Sequence, residues 1–194
     1  MTAEAEAEAE IEADGVPAVD STTDDLDVTD EPEVGWGEAD IGKRHRHREF
    51  DMFVTEEDVF DPDEMLGLYD SVGWEGYTAD VDKLCRGLRN SHLVITARDG
   101  AGTLLGLART VSDDEHICYV QDVVVDPAHH RQGAGRALVE HLARRYSHCR
   151  FFLLSTDHES SPEGKRNHAF YRSLGFLSYE EKRMAGFGLP RNRV

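Results

Sequence analysis

Between His129 and Leu138 the chain reads HHRQGAGRAL, with two glycines one residue apart and flanked by Arg131 and Arg136. The upstream run YVQDVVVDP reads as a buried strand, and the downstream run ALVEHLARRY reads as a helix. A helix N-terminus presents unpaired backbone N–H groups and a partial positive charge. Glycines at that point let the backbone approach a phosphate closely, and arginines add charge-assisted donors. The chemistry these residues suit is therefore the holding of a diphosphate. The segment is not a Walker loop, because no Gly-Lys-Ser/Thr ends it, and it is not G-x-G-x-x-G, because Leu138 stands three residues after Gly135. A glycine-rich turn that holds no ligand is the open alternative on this segment alone.

A second residue stands out on the same strand. Asp122 sits among valines, where an ionised carboxylate is costly unless paired or hydrogen-bonded.

The surrounding elements follow from periodicity and punctuation. EFDMFV alternates and predicts a strand. Asp61 can cap a helix with Pro62 at its first position and Glu64 at the capping-box position, running to Asp70 or Ser71. TADVDKLCRGLRN predicts a second helix, capped by Thr78, with Val81, Leu84, Cys85 and Leu88 on one face. HLVITAR and TLLGLARTV are strands separated by the hairpin signal DGAG, and HICYVQDVVVD follows after SDDE. FFLLST is a short buried strand. NHAFYRSLGF is a helix ending at Gly175 in the left-handed cap position. FLSYEE and RMAGFGL read as two late strands. The order gives an α/β domain with a mixed, mostly antiparallel sheet and one β-α-β crossover.

Charge is unevenly spread over the 194 residues. The net charge is -18, yet residues 1–40 hold 15 Asp/Glu and no Lys/Arg, leaving 24 acidic and 21 basic residues beyond. This tail has too little apolar content to offset its ordering entropy, so it is expected to be disordered. Its glutamates repel at i,i+4 spacing, as at Glu4 and Glu8. Trp36 is its only large aromatic. KRHRHR, Lys43 to Arg48, then reverses the charge and reads as a solvated hinge. Without a basic face the body is not expected to bind nucleic acid. No apolar run is long enough to span a membrane, and no signal peptide pattern is present. Cys85, Cys118 and Cys149 lack the close pairing of a zinc site and are expected to be reduced thiols of a cytoplasmic protein that uses no metal.

The stretch VVVDPAHHRQGAGRAL resembles the acetyl-CoA motif of the GNAT superfamily of acyl-CoA N-acyltransferases. The family pattern Q/R-x-x-G-x-G/A falls on His130, Arg131, Gln132, Gly133, Ala134 and Gly135, with His130 where Gln or Arg is usual. NHAFYRSLGF looks like the family's later helix, and the similarity runs from about Asp51 to Leu189. The resemblance implies the GNAT fold, a central mixed, mostly antiparallel twisted sheet flanked by helices. It divides the chain into an acidic tail and basic hinge at 1–48 and an N-acetyltransferase domain at 49–194.

The resemblance also implies roles. Residues 130–136, including Arg136, would cradle the diphosphate of acetyl-CoA. Val123, Val124 and Val125 would offer backbone groups to the pantetheine arm where their strand bulges and parts from the next. Tyr171 matches a tyrosine that protonates the departing thiolate; its alternative is a packed aromatic beside Phe170. Asn167 matches a cofactor-bonding position, the alternative being a helix N-cap. Asp122, just before the expected bulge, would act as base through a water or anchor a cationic amine, against a purely structural carboxylate. Tyr119 and His116 are weaker candidates. The loop Thr156 to Asn167, with Trp74 and Tyr77, would border the acceptor. The implied activity is transfer of an acetyl group to a primary amine, small molecules being favoured, and a homodimer is compatible with it. A protein or peptide acceptor and a non-catalytic acyl-CoA-binding module are the alternatives.

Overall fold

Apolar runs that alternate on both faces require cover on both sides, and the computed structural model supplies it with a sheet between two helical layers. It describes residues 51–189. The expected tail, the KRHRHR hinge and Trp36 lie outside the described residues. The strands are β1 (Met52–Glu56), β2 (Leu93–Asp99), β3 (Leu104–Ser112), β4 (Ile117–Val125) and β5 (Phe151–Leu154), in spatial order β1-β2-β3-β4-β5. The first three pairings are antiparallel and β4 pairs β5 in parallel. The helices are α1 (Pro62–Ser71), α2 (Glu75–Thr78), α3 (Val81–Arg89), α4 (Ala134–Arg145) and α5 (Pro162–Arg172).

Each sheet face has its own core. Ile95, Ala108, Cys118 and Val120 meet Leu138, Leu142 and Tyr146 of the α4 side. Val94, Leu107 and Val124 meet Met65, Leu68 and Tyr69 of α1 with Leu84 and Leu88 of α3. Full burial of a side chain such as Leu138 contributes about 1.5–3 kcal/mol. Because β3 is covered on both faces, it reads as a nearly continuous apolar run.

Local chemistry sets the ends, and in three places it differs from the expectation. Asp61 caps α1 as predicted, accepting from the N–H groups of Asp63 and Glu64. Thr78 does not cap the next helix. It closes the short α2, whose carbonyls at Trp74 and Glu75 take the N–H groups of Tyr77 to Ala79; Asp80 caps α3 instead, accepting from Lys83 N–H at 2.8 Å. Helix α5 begins at Pro162 rather than Asn167. Ser161 caps it at 2.9 Å to Gly164 N–H, with Pro162 and Glu163 in the first turn, so the polar loop is shorter than expected.

The two late strands do not form. Ser178 and Glu181 make a reciprocal capping box, Ser178 N–H to Glu181 Oε2 at 2.7 Å and Glu181 N–H to Ser178 Oγ at 3.2 Å, which coils FLSYEE into turns. Gly186 and Gly188 interrupt the following segment, where Phe187 and Leu189 are exposed.

Gly164, in the first turn of α5, lets Asp157 and His158 pass so closely that a Cβ there would collide with their backbone. Gly164→Ala should therefore cost roughly 1–3 kcal/mol through overpacking, despite the better helix propensity of Ala. Urea unfolding checks this; an unchanged midpoint would mean that the 157–158 loop moves aside freely.

Candidate active site

The site begins with an irregularity in β4. Thr110 pairs with Val120 while Arg109 pairs with Asp122, so Gln121 is an extra residue, a β-bulge. Asp122 follows the bulge rather than preceding it. On the other edge, β4 pairs with β5 only from Ile117↔Phe151 to Val120↔Leu154. Beyond Val120 the two strands part, and residues 121–125 keep a sheet neighbour among the described residues on the β3 side alone. Val124 packs into the core over α1 and α3, and Val123 and Val125 pack on the α4 side. Their side chains are thus committed to the core while one backbone edge is open.

At the end of that strand comes the glycine turn. Asp126 accepts from Ala128 N–H at 2.8 Å and forms a short 3-10 turn, Pro127–His129. Arg131 and Gly133 then adopt left-handed conformations, φ +63° and +92°, before α4 starts at Ala134. The N–H groups of residues 132–136 have no acceptor among the described residues. This is the anion-binding geometry of a helix start that follows a glycine turn. His130, the departure from the family pattern, donates from Nε2 to the Val125 carbonyl at 3.1 Å and so ties the turn to the strand. Arg136 reaches Glu140 Oε1 at 3.3 Å and Ser173 Oγ at 3.1 Å, tying α4 to the end of α5. Arg131 is exposed and has no ion-pair partner among the described residues.

Helix α5 closes the other side. A Cβ built on Gly135 would touch Val125 and Phe170, each at 3.5 Å, so strand end, turn and α5 converge there. Asn167 and Tyr171 are one helical turn apart and share a face. Tyr171 packs against Phe170 and Phe176 with ring centroids 5.1 and 5.6 Å away. Burial pushes its phenol up to about 12. Asn167 lies mid-helix, since Ser161 is the cap.

Asp122 is nearly fully buried, with both oxygens engaged. Oδ1 accepts from the Tyr77 hydroxyl at 2.9 Å, and Oδ2 accepts from the Tyr69 hydroxyl at 2.9 Å and from Arg109 Nε. Burial, then the Asp122 charge, holds the Tyr69 phenol well above its usual range. Trp74 stacks on Tyr77 at 5.7 Å and meets Tyr69 edge-on at 5.9 Å. The bulged Gln121 donates to the Tyr77 hydroxyl at 3.3 Å. Tyr69, Arg109 and Gln121 were not among the sequence candidates. The available signal was a lone arginine in the apolar run LLGLARTV facing a lone aspartate in VQDVVV on the next strand. Tyr119 pairs with Val111 and Leu153 in the sheet, and His116 lies in the β3–β4 turn beside Asp113.

No helix among the described residues is long and apolar enough to cross a membrane. The acetyltransferase (GNAT) family model matches residues 48–176. The chain is 31% identical over 145 residues to histone acetyltransferase TAP1 of Glycine max, covering 70% of this chain and 58% of that protein. It is 32% identical over 153 residues to the chloroplastic GCN5-related N-acetyltransferase 2 of Arabidopsis thaliana, covering 69% and 55%. It thus spans a little over half the length of these two relatives. A GNAT-family acetyltransferase structure from Streptococcus pneumoniae superposes with a TM-score of 0.62 at 26% identity, covering 73% of this chain and 99% of that one. With the parted strand, the glycine turn and the family match coinciding, the chain belongs to the acetyltransferase (GNAT) family.

Proposed function

We propose that the chain is an N-acetyltransferase that moves an acetyl group from acetyl-CoA to the primary amine of a small molecule by direct attack in a ternary complex. The observation that carries this reading is the open β4 edge ending in a glycine turn whose N–H groups have no acceptor among the described residues. Residues 131–136 would hold the diphosphate through backbone donors, Arg131 adding charge. His130 would position the turn rather than touch the ligand, and Arg136 would lock the turn to α5. Residues 123–125 would offer main-chain groups along the pantetheine arm, and Asn167 a side-chain amide. In this reading the tail at 1–48 lies outside the catalytic domain.

Bound acetyl-CoA supplies the acyl group as a thioester, whose C–S bond breaks as the amine nitrogen bonds to the carbonyl carbon. The departing sulfur needs a proton, and Tyr171 is the donor we assign. A phenol whose pKa is raised stays protonated, the form a general acid requires, and loses it only as pH rises through about 12. Asp122 is assigned as the anchor that fixes the bulge and the Tyr69–Tyr77 pair. Three donors already occupy its oxygens, and the Arg109 cation beside it opposes a second cation. The amine loses one proton to water before it attacks, which frees its lone pair, and a second after the C–N bond forms, and Tyr171 regains its proton from water. A protein acceptor is the second reading, favoured by the name of the soybean relative; an assay of free CoA thiol with small amines beside histone peptides separates the two.

Two substitutions test the assignments. Tyr171→Phe should lower kcat about tenfold or more with little change in acetyl-CoA Kd. The wild-type rate should show no alkaline limb from this residue near pH 10, about the ordinary phenol range. An alkaline limb there that vanishes in the variant would contradict the buried acid. Asp122→Asn should lower stability by about 3–5 kcal/mol, because it leaves Arg109 buried without its counter-charge. Full stability with lost turnover would instead mark Asp122 as the base.

A further inference from the structure

Beside the aromatic stack lies a cavity of about 310 Å³ lined by Gly76, Tyr77, Lys83, Leu84, Gly87 and Arg109. Two of the six lining residues are cations and none is a carboxylate. Lys83 is exposed and has no ion-pair partner among the described residues. Arg109 gives Nε to Asp122, but among the described residues its terminal nitrogens make only long contacts, 3.3 Å to Ser91 Oγ and 3.4 Å to the Tyr77 hydroxyl. A guanidinium has five N–H donors, so some remain to be used. The walls are also left bare. A Cβ on Gly76 or on Gly87 would meet no atom within 4 Å, and Gly87 sits inside α3, where glycine costs about 1 kcal/mol against alanine.

The cavity is close to the open strand edge. Tyr77 lines it, and the Tyr77 hydroxyl accepts from Gln121, the bulge residue at which β4 leaves β5. One wall of the cavity is thus hydrogen-bonded to the side chain of the bulge residue. We infer that the cavity is an anion subsite of the acceptor, so that the preferred substrate is a small primary amine that also carries a carboxylate or phosphate. Lys83 pairs with the anionic group, Arg109, whose charge Asp122 already balances, adds its unused N–H donors, and the space beside Gly76 and Gly87 admits it. This deepens the acetylation reading and rests on it for the word acceptor.

The test uses the full chain and matched amines: phenylalanine against 2-phenylethylamine, and phosphoethanolamine against ethanolamine. At least one anionic member should show about tenfold higher kcat/KM than its partner, the worth of one charge-assisted hydrogen bond, and which pair does so separates carboxylate from phosphate. Lys83→Glu and Gly87→Leu should each erase that preference without changing the KM for acetyl-CoA. Lys83 is exposed and Gly87 faces open space, so both variants should fold. No preference in either pair, or a preference that survives both variants, overturns the inference. If no amine is acetylated, the acetylation reading fails and the cavity is judged by calorimetry with inorganic phosphate. Binding weakened about tenfold in both variants then sustains the anion subsite, and equal binding in all three proteins overturns it.

Discussion

Beyond Val120 the β5-facing edge of β4 loses its sheet partners, and backbone N–H and C=O groups withdrawn from water are costly to leave unpaired. That constraint organises the rest. The edge is tolerable only where it borders solvent or a ligand with complementary groups, and the glycine turn at its end fits a ligand with an anionic terminus. The bulge at Gln121 adds twist at the point of parting, and the valines that follow keep their side chains in the two cores. Strand, turn and α5 then meet around Val125, Gly135 and Phe170, which sets how closely a ligand's walls approach.

The buried Asp122–Arg109 pair holds this arrangement from beneath. Desolvating two charges is expensive, and a pair of this kind stabilises little relative to apolar residues of the same size. What it provides is position: Asp122 fixes two tyrosine hydroxyls from α1 and α2 against the bulge, and one of those hydroxyls also meets Gln121. The helices that would border the acceptor are therefore registered against the strand that would carry the donor.

Much of this was legible in the residues. Period-two and period-3.6 patterns predicted β1 to β5 and four of the helices, and the glycine pair located the turn. The errors came from short-range side-chain chemistry that outranks periodicity. Asp80 displaced Thr78 because α2 uses Thr78 first; Ser161-Pro162 started α5 early; the Ser178–Glu181 capping box coiled a segment that alternates like a strand. In the site, His130 was legible as an anomaly but not as a strut, because the Val125 carbonyl it reaches is five residues away around a turn. The partners of Asp122 come from α1, α2 and β3, and no local pattern carries pairings over 13 to 53 residues of separation.

The open edge itself can be read by amide hydrogen exchange of the full chain with and without acetyl-CoA. Slowed exchange at residues 121–125 and 131–136, with the β1–β2 amides unchanged, is expected if the ligand completes the parted strand and occupies the turn. Exchange at those positions that is unaffected by saturating acetyl-CoA, or protection confined to another part of the sheet, would contradict it.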